Sequence, residues 1–291
     1  EMKGTRTFVA NGFECKILTD STVSISRMPV AYLTDAMTDS VFHIPAFVEY
    51  DGKTYQVREI AERGFTVNNN IKHLVLDEGI KAINFICCYN LESVRIPASL
   101  SFIDHDIFGG CHNLKSIVVN PANKVFDSRD NCNAIIETEF NILVAGCGGS
   151  SIPSSVTTIG EAAFASCRFL ESITIPEGVT QIRESAFRGC IELKSISLPQ
   201  SLEDIDDGAF GGCESLQSIV IPKNVGFIGK SLFRYCNQLE SITVEKGNKR
   251  YDSRQNCNAI IETESNKLGY VAAFPFAEVI SGYTAFYLGA K

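Results

Sequence analysis

The chain repeats itself every 23 residues between Ile152 and Val244. Proline, phenylalanine and cysteine all recur at this step, at Pro153, Pro176, Pro199 and Pro222, at Phe164, Phe187, Phe210 and Phe233, and at Cys167, Cys190, Cys213 and Cys236. A fixed period in the twenties is typical of a solenoid, in which each repeat forms one coil and buries its apolar residues against its neighbours. The period therefore predicts a stack of similar coils.

One repeat contains signals for two kinds of element. The stretch Leu170–Pro176 reads L-x-x-I-x-I-P, which predicts a strand with one buried face, ended by a proline that has no N–H for the ladder. Ala186, Phe187 and Cys190 have the spacing of one or two helical turns. We therefore predict an α/β solenoid that is right-handed, with a face of parallel strands and short helical or irregular backs.

The first part of the chain contains a cap and less regular coils. Residues 1–53 predict an N-terminal β cap, because Asn11-Gly12 is a strong hairpin-turn signal and the first coil of a solenoid needs cover from water. Coils follow at residues 54–76, 77–96 and 97–119, and the middle coil is three residues short. The shortening falls around Phe85 and Cys88.

Two inserts interrupt the coils. The segment Asn131–Glu139 returns almost unchanged 125 residues later, at Asn256–Glu264. Each segment predicts a β-hairpin, so we expect a solenoid over residues 54–277 with hairpin inserts at about 120–152 and 245–277. Residues 278–291 depart from the pattern and predict an irregular C-terminal cap or a truncated repeat.

The charge of the chain narrows the possible partners. The formal net charge is −8 and the isoelectric point is near 5.1, which disfavours nucleic acid and anionic membranes. No apolar run approaches the roughly 18 residues of a transmembrane helix, so we expect no membrane span. The start at Glu1 lacks the apolar region of a signal peptide. Either the protein is intracellular or a signal segment has been removed ahead of Glu1.

Most of the 11 cysteines follow the repeat. Six occupy one position of successive coils: Cys88, Cys111, Cys167, Cys190, Cys213 and Cys236. A cysteine at a repeated apolar position is typically a small buried hydrophobe, whereas a zinc site needs two Cys-x-x-Cys pairs, and this sequence has none. We expect the last four thiols to be reduced and slow to react.

No constellation of catalytic residues is visible. The four histidines, at positions 43, 73, 105 and 112, lack metal-pair spacing and accompany no hydrolase motif. Asp127, Asp130 and Asp252 could contribute to a calcium site, but Gln255 stands where a carboxylate is needed in the second copy, which favours capping of turns by aspartate. We therefore predict no enzyme activity, no metal and no cofactor.

The outward strand positions are the candidate binding residues. Stacking the coils places them in columns on one face: Glu171, Thr174, Lys194, Ser197, Gln217, Val220, Glu240 and Thr243. They mix both charges with small polar groups, which suits a protein partner. The alternative is that serine and threonine simply suit solvated strands.

Residues 152–244 follow the pattern I-P-x-x-V-x-x-I-G-x-x-A-F-x-x-C-x-x-L-x-x-I-x-I-P and resemble the BspA-like leucine-rich repeats. The resemblance implies a leucine-rich-repeat solenoid on a secreted or surface protein of a host-associated bacterium. Some members of that family are adhesins that bind host matrix proteins. The family brings no catalytic residues.

The resemblance and the outward columns together give one functional hypothesis. We expect a non-catalytic surface or secreted protein, a monomer, that binds a host or cell-surface protein, with adhesion to host matrix proteins as one case. The alternative is a carbohydrate-binding or carbohydrate-degrading accessory protein. That role needs an aromatic platform, but the chain has no tryptophan and the strand columns hold no aromatic residue.

Overall fold

A computed structural model describes six segments of the chain: residues 6–27, 41–61, 70–84, 86–253, 259–263 and 267–271. The chain divides into two units. Unit 1 is Glu1–Glu139 with Ala145–Ser150, and unit 2 is Phe140–Val144 with Ser151–Lys291. Phe85, expected in the short coil, and residues 278–291 lie outside the described residues.

The strands are short, as expected for coils that turn every few residues. Those that begin in unit 1 are β1 (Thr7–Ala10), β2 (Phe13–Thr19), β3 (Thr22–Arg27), β4 (Val41–Ile44), β5 (Phe47–Tyr50), β6 (Lys53–Ile60), β7 (His73–Leu76), β8 (Ala82–Ile83), β9 (Ser93–Ile96), β10 (Phe102–Ile103), β11 (Ser116–Val119), β12 (Phe126–Asp127) and β13 (Ile135–Glu137). Those that begin in unit 2 are β14 (Ile142–Ala145), β15 (Thr158–Ile159), β16 (Ser172–Thr174), β17 (Gln181–Ile182), β18 (Ser195–Ser197), β19 (Asp204–Ile205), β20 (Ser218–Ile221), β21 (Phe227–Ile228), β22 (Ser241–Val244), β23 (Tyr251–Asp252), β24 (Ala259–Glu262) and β25 (Lys267–Val271).

Unit 1 starts with antiparallel strands and continues as parallel ladders. The predicted hairpin is present: β1 pairs with β2 through Asn11 and Gly12, whose φ angles of 50° and 81° are the positive values a type I′ turn requires. Strand β6 pairs antiparallel with β5 and parallel with β3 and β8. Each following coil then contributes one strand to each of two parallel ladders, β6-β8-β10 and β4-β7-β9-β11.

Unit 2 is built from the regular 23-residue coils. The two-residue strands β15, β17, β19 and β21 form one parallel ladder. The longer strands pair as β16 with β18 and as β20 with β22, again in parallel. Strands β23, β24 and β25 of the second insert are antiparallel, with β24 and β25 as the two strands of the expected hairpin.

Of the two predicted kinds of back, helical and irregular, the helical one is wrong, and so is the α/β class. The described residues contain no α-helix; a three-residue 3-10 helix occurs at Arg129–Asn131. Each regular back instead has two residues with positive φ, four positions apart: Ala162 and Ser166, Ser185 and Gly189, Gly208 and Gly212, Ser231 and Tyr235. An α-helix of L-residues cannot continue through the left-handed region. The fold is therefore a β-solenoid.

The backs of the coils in unit 2 are joined by hydrogen bonds that run from one coil to the next. The N–H groups of Ala162, Phe164 and Ser166 donate to the carbonyls of Glu184, Ala186 and Arg188 at 2.9, 2.7 and 2.7 Å. The same three bonds recur from Ser185, Phe187 and Gly189, and from Gly208, Phe210 and Gly212. These bonds replace the intrahelical bonds of the predicted helices, because turning alternate peptide groups sideways points them at the neighbouring coil. We call this strip the back ladder.

The core of unit 2 consists of repeated side chains in contact with their own copies. Phe187 and Phe210 are fully buried, as predicted, and the Phe187 ring lies 5.1 Å from Phe164 and 5.6 Å from Phe210 in stacked geometry. The cysteine thiols also form hydrogen bonds. Cys190, Cys213 and Cys236 donate to the carbonyls of Phe164, Phe187 and Phe210 at 3.1, 3.3 and 3.1 Å.

Each insert is entered through an asparagine clamp. The side-chain N–H₂ of Asn123 donates to the carbonyls of Pro97 and Leu100, at 2.8 and 2.9 Å, and its Oδ1 accepts from two backbone N–H groups further along the chain. Asn248, 125 residues later, repeats this arrangement with Pro222 and Val225, at 3.1 and 2.9 Å. One side chain thus satisfies four backbone groups where the chain leaves the repeat.

Candidate binding surface

Four of the eight predicted binding residues lie within the longer strands of unit 2, and the other four come immediately before these strands. We call all eight the strand face: Glu171, Thr174, Lys194, Ser197, Gln217, Val220, Glu240 and Thr243. Seven are exposed and Thr243 is half-buried. The four residues inside the strands, Thr174, Ser197, Val220 and Thr243, alternate with isoleucines, of which Ile173, Ile219 and Ile242 are buried and Ile196 is half-buried. The two-residue period of the pleat explains this alternation.

The structure brings the eight residues together as two pairs of strands rather than as one sheet. Thr174 lies opposite Ser197 on β16 and β18, and Val220 lies opposite Thr243 on β20 and β22. Between the pairs, the N–H of Gln217 donates to the carbonyl of Lys194 at 3.3 Å. Strands β18 and β20 belong to separate sheets. The strand face is therefore continuous in space at the level of the coils but divided in its strand pairing.

The electrostatics of the strand face are mixed. Lys194 Nζ lies 3.0 Å from Glu171 Oε2, and both side chains are more than half exposed, so solvent screens most of the attraction. Glu240 adds a second carboxylate, while Val220, 51% exposed, adds an apolar contact. A surface of this kind offers hydrogen-bond donors and acceptors around a small apolar group.

Unit 1 carries a related face on β4, β7, β9 and β11. Its Lys115 Nζ lies 3.4 Å from Glu92 Oε2, at the repeat positions that Lys194 and Glu171 hold in unit 2. The strand register aligns the outward residues His43, Val75, Arg95 and Val118. This face is more basic and more apolar than that of unit 2.

A concave surface of unit 2, separate from the strand face, was not predicted from the repeat. It has a volume of about 710 Å³ and lies on the two-residue strands and the turns beside them; we call it the groove, lined by Thr180, Ser201, Glu203, Asp204, Asn224, Gly226, Phe227 and Arg250. One signal in the sequence could have located it. The repeat position that holds Thr158, Gln181 and Asp204 in successive coils holds an exposed aromatic residue, Phe227, in the next.

Three of the four thiols of the regular coils are buried. Burial raises the pKa of Cys190 and Cys213 well above the usual value, with neighbouring thiols adding to the effect. Burial also raises the pKa of Cys236 to about 12. A raised pKa leaves little thiolate at neutral pH, and the thiolate is the reactive form. Cys167 differs from the expectation because it is only half-buried.

Asp127 of the first insert caps a turn, as expected for that residue. Asp127 Oδ1 accepts from the N–H of Arg129 at 2.9 Å, and Oδ2 accepts from the Thr138 hydroxyl at 2.8 Å. Burial opposes ionisation of Asp127, but these bonds and the Arg129 guanidinium outweigh it and lower its pKa. Among the described residues, no group of three or more histidine, cysteine or acidic side chains is placed to hold a metal ion.

The histidines contact their immediate neighbours. His43 Nδ1 lies 3.2 Å from Asp77 Oδ1, and His73 Nδ1 lies 2.8 Å from the Ser93 hydroxyl. Tyr89 and His112 stack with ring centroids 5.4 Å apart. Within the part of the chain that the structure describes, no helix has the length and apolar character needed to cross a membrane.

The model of the BspA type leucine rich repeat region matches the chain in six copies, over residues 51–141 and 147–260. These residues are more than half of the sequence. The chain belongs to this family. The BspA-type match ends inside the second insert and spans the coils of both units. It therefore covers the strand face and the groove alike.

One solved structure supports the fold of the BspA-type chain. A leucine-rich repeat protein from Bacteroides ovatus matches with a TM-score of 0.51 and 24% identity, over 83% of this chain and 66% of that chain. A leucine rich cell surface protein from Faecalibacterium prausnitzii matches at 0.47 and 18%, over 84% and 89%. The pneumococcal vaccine antigen PcpA matches at 0.44 and 19%, over 84% and 83%. No curated protein matches the chain.

Proposed function

We propose that this BspA-type chain is a non-catalytic surface or secreted protein that binds another protein through the strand face of unit 2. The supporting observation is the exposure of the predicted residues on regularly stacked coils. Seven of the eight side chains face solvent, although the isoleucines between them are engaged in the core. The coils use their apolar side for stability, so specificity has to come from the outward side.

The chemistry of the strand face favours a protein partner. Glu171, Lys194 and Glu240 provide both charges, and Val220 provides an exposed aliphatic group. A phosphate ligand needs a basic cluster, which this face lacks. A sugar ligand is favoured by an aromatic platform, and none of the eight residues is aromatic. A protein interface of standard size covers roughly 800 Å² on each partner and gathers many weak contacts.

Host matrix proteins are the partner class that we propose, and the family supplies the reason. The test is binding of the whole chain to a panel of immobilised collagen, laminin and fibronectin. The variant Thr174→Arg/Ser197→Arg/Val220→Arg places bulky cations across the strand face, and we expect it to weaken binding at least tenfold.

Two further variants decide where the partner binds. Ser154→Arg/Asn237→Arg/Gln238→Arg adds the same charge at three other exposed positions of unit 2 and should retain binding. The other variant has both insert hairpins shortened. If the hairpin variant loses binding and the strand-face variant keeps it, the site belongs to the inserts, whose near-identical sequences suit bivalent contact.

A further inference from the structure

The groove of unit 2 brings an acidic side chain and an aromatic ring into adjacent positions. The register of β17, β19 and β21 places Gln181 beside Asp204 and Asp204 beside Phe227. Neighbouring strands are about 4.8 Å apart. A flat group of a few atoms can therefore contact the carboxylate of Asp204 and the ring of Phe227 at the same time.

The base of the groove is open to a ligand. A Cβ atom added at Gly226 would meet no atom within 4 Å, so nothing fills the space above its backbone. Phe227 is 42% exposed beside it. The Ser201 hydroxyl is already used, since it donates to the carbonyl of Val179 at 2.8 Å and accepts from Gly178. The volume of about 710 Å³ has room for more than one extended side chain of a partner.

The charge of the groove is negative. Two carboxylates, Glu203 and Asp204, and one cation, Arg250, line it, and the Arg250 guanidinium lies 3.5 Å from the Glu262 carboxylate and over the Tyr251 ring. Asp204 accepts one bond, from Gln181 Nε2 at 3.3 Å. The Glu203 carboxylate has no hydrogen bond or ion pair to any of the described residues.

The surroundings strengthen this negative potential. The pKa of Asp206 is raised first by burial and then by the carboxylate of Asp204, with Asp207 and Glu184 adding to it and Arg183 opposing it. Around Asp206, two residues from Asp204, three carboxylates thus face one arginine. A cationic ligand gains from such a field, and an anionic one is repelled.

We infer that the groove binds an arginine side chain from a basic segment of the partner protein. A guanidinium is planar, carries five N–H donors and stacks on aromatic rings, so it matches a carboxylate beside an exposed phenylalanine. Lysine offers only a point charge. This inference rests on the proposed protein-binding function, but it concerns a different surface of unit 2 and names the chemistry of the partner.

The test measures binding of a fluorescent, blocked hexa-arginine peptide to the whole chain by anisotropy at low salt. We expect Glu203→Gln/Asp204→Asn to weaken binding at least tenfold and Phe227→Ala to weaken it about threefold to tenfold. Gly226→Leu fills the groove without changing any charge and should also weaken binding at least fivefold. Thermal melting establishes that each variant is folded.

The matched control is Glu192→Gln/Glu214→Gln, which removes the same charge elsewhere in unit 2. It should bind hexa-arginine within about twofold of the natural chain. A hexa-citrulline peptide, which keeps the shape but not the charge, should not bind. Equal weakening by the control pair, or unchanged binding by both Phe227→Ala and Gly226→Leu, would overturn the inference in favour of diffuse attraction.

Two outcomes separate this inference from the proposed function. If the strand-face arginine variant loses binding to matrix protein and keeps hexa-arginine binding, the two surfaces act separately and the inference holds. If neutral oligosaccharides such as chitohexaose bind the groove and hexa-arginine does not, the inference fails while the strand-face proposal stands.

Discussion

Unit 1 and unit 2 stabilise the same repeat in different ways. In unit 1 the four long strands β4, β7, β9 and β11 form one parallel sheet, while in unit 2 the corresponding strands form two separate pairs. Unit 2 has instead a regular back ladder and a phenylalanine stack. A coil can therefore be stabilised by strand pairing on one side or by the contacts of its back. Neither set of contacts has to be continuous along the whole stack.

The short coil shows why this division works. Between the short and the long strand of one coil, 13 positions separate Ile60 from His73, but only 10 separate Ile83 from Ser93. The three missing residues are thus removed from the back. Strands β8 and β9 still pair in register with coils on both sides. Unit 1 tolerates the deletion because its strand side keeps the register.

The largest difference should appear on truncating the core rings. Phe187→Ala removes a fully buried ring stacked between two others, and we expect a loss of about 3–5 kcal/mol in the free energy of unfolding. Phe108→Ala in unit 1 should cost less, about 2–3 kcal/mol, because Phe108 is 8% exposed. Urea unfolding measures both. Equal losses would mean that stacking of the rings adds no stability beyond that of their burial.

The asparagine clamps should give the next largest effect. Asn123→Ala leaves buried backbone groups unsatisfied, so we expect a loss of about 1–3 kcal/mol. Asn248→Ala should cost about 1 kcal/mol, because Asn248 is half-buried and water can replace the amide. Asn237→Ala, at an exposed asparagine, is the control. A larger loss of stability for Asn248→Ala than for Asn123→Ala would contradict this ranking of the two clamps.

The thiols of unit 2 should make stability fall at high pH. The folded pKa of Cys236, about 12, exceeds its usual value of 9.0, so its contribution is fully present below about pH 9 and is lost as pH rises toward 12. The slope reaches at most about 1.4 kcal/mol per pH unit for one thiol. Urea unfolding at pH 8 and pH 10.5 should show a smaller pH effect in Cys236→Ala. If Cys236→Ala shows the same pH effect as the natural chain, the raised pKa of Cys236 is contradicted.

Thiol labelling compares the units directly. Half-buried Cys87 of unit 1 and Cys167 of unit 2 should react with a maleimide before Cys190 or Cys213, whose burial is complete. Mass spectrometry of digested samples identifies the order. Labelling of Cys213 at the rate of Cys87 would show that the back of unit 2 opens easily.

The smallest effect belongs to the two surface ion pairs. Glu171→Gln and Glu92→Gln should each change the free energy of unfolding by less than about 0.5 kcal/mol, because their partners Lys194 and Lys115 are exposed. Lys223→Gln serves as a control for loss of one charge. An effect above 1 kcal/mol at Glu171 would mean that the pair supports the divided strand face.

The strands were predictable because their signals are local. The alternation in Ser172–Thr174 and the proline that follows need no knowledge of other coils, and Asn11-Gly12 specifies its own turn. The backs were mispredicted for the opposite reason. The spacing of Ala186, Phe187 and Cys190 fits a helical turn, but it fits equally a turn whose N–H groups bond to the next coil. Serine and alanine at positive φ, as at Ser185 and Ala162, carry no sequence signal.

Contacts between coils were the least predictable part of both the fold and the binding surface. Glu177 accepts from the N–H groups of Gln200 and Ser201, and its pKa is lowered by these bonds, the Gln200 bond being the largest. Nothing local marks Glu177 for this role. The groove has the same origin, because it needs Asp204 and Phe227 from different coils in register.

The back ladder has a direction. Every one of its bonds is donated by the earlier coil and accepted by the later one, so the peptide dipoles of the backs point the same way along the stack of unit 2. Such a strip has two unlike ends, one of donors and one of acceptors. A second strip can extend it only head to tail, since two donor ends repel. Head-to-tail addition builds open filaments or closed rings, whereas two-fold dimers join like surfaces. The common direction of these backbone hydrogen bonds alone thus determines which symmetry such a stack can have when it assembles end to end.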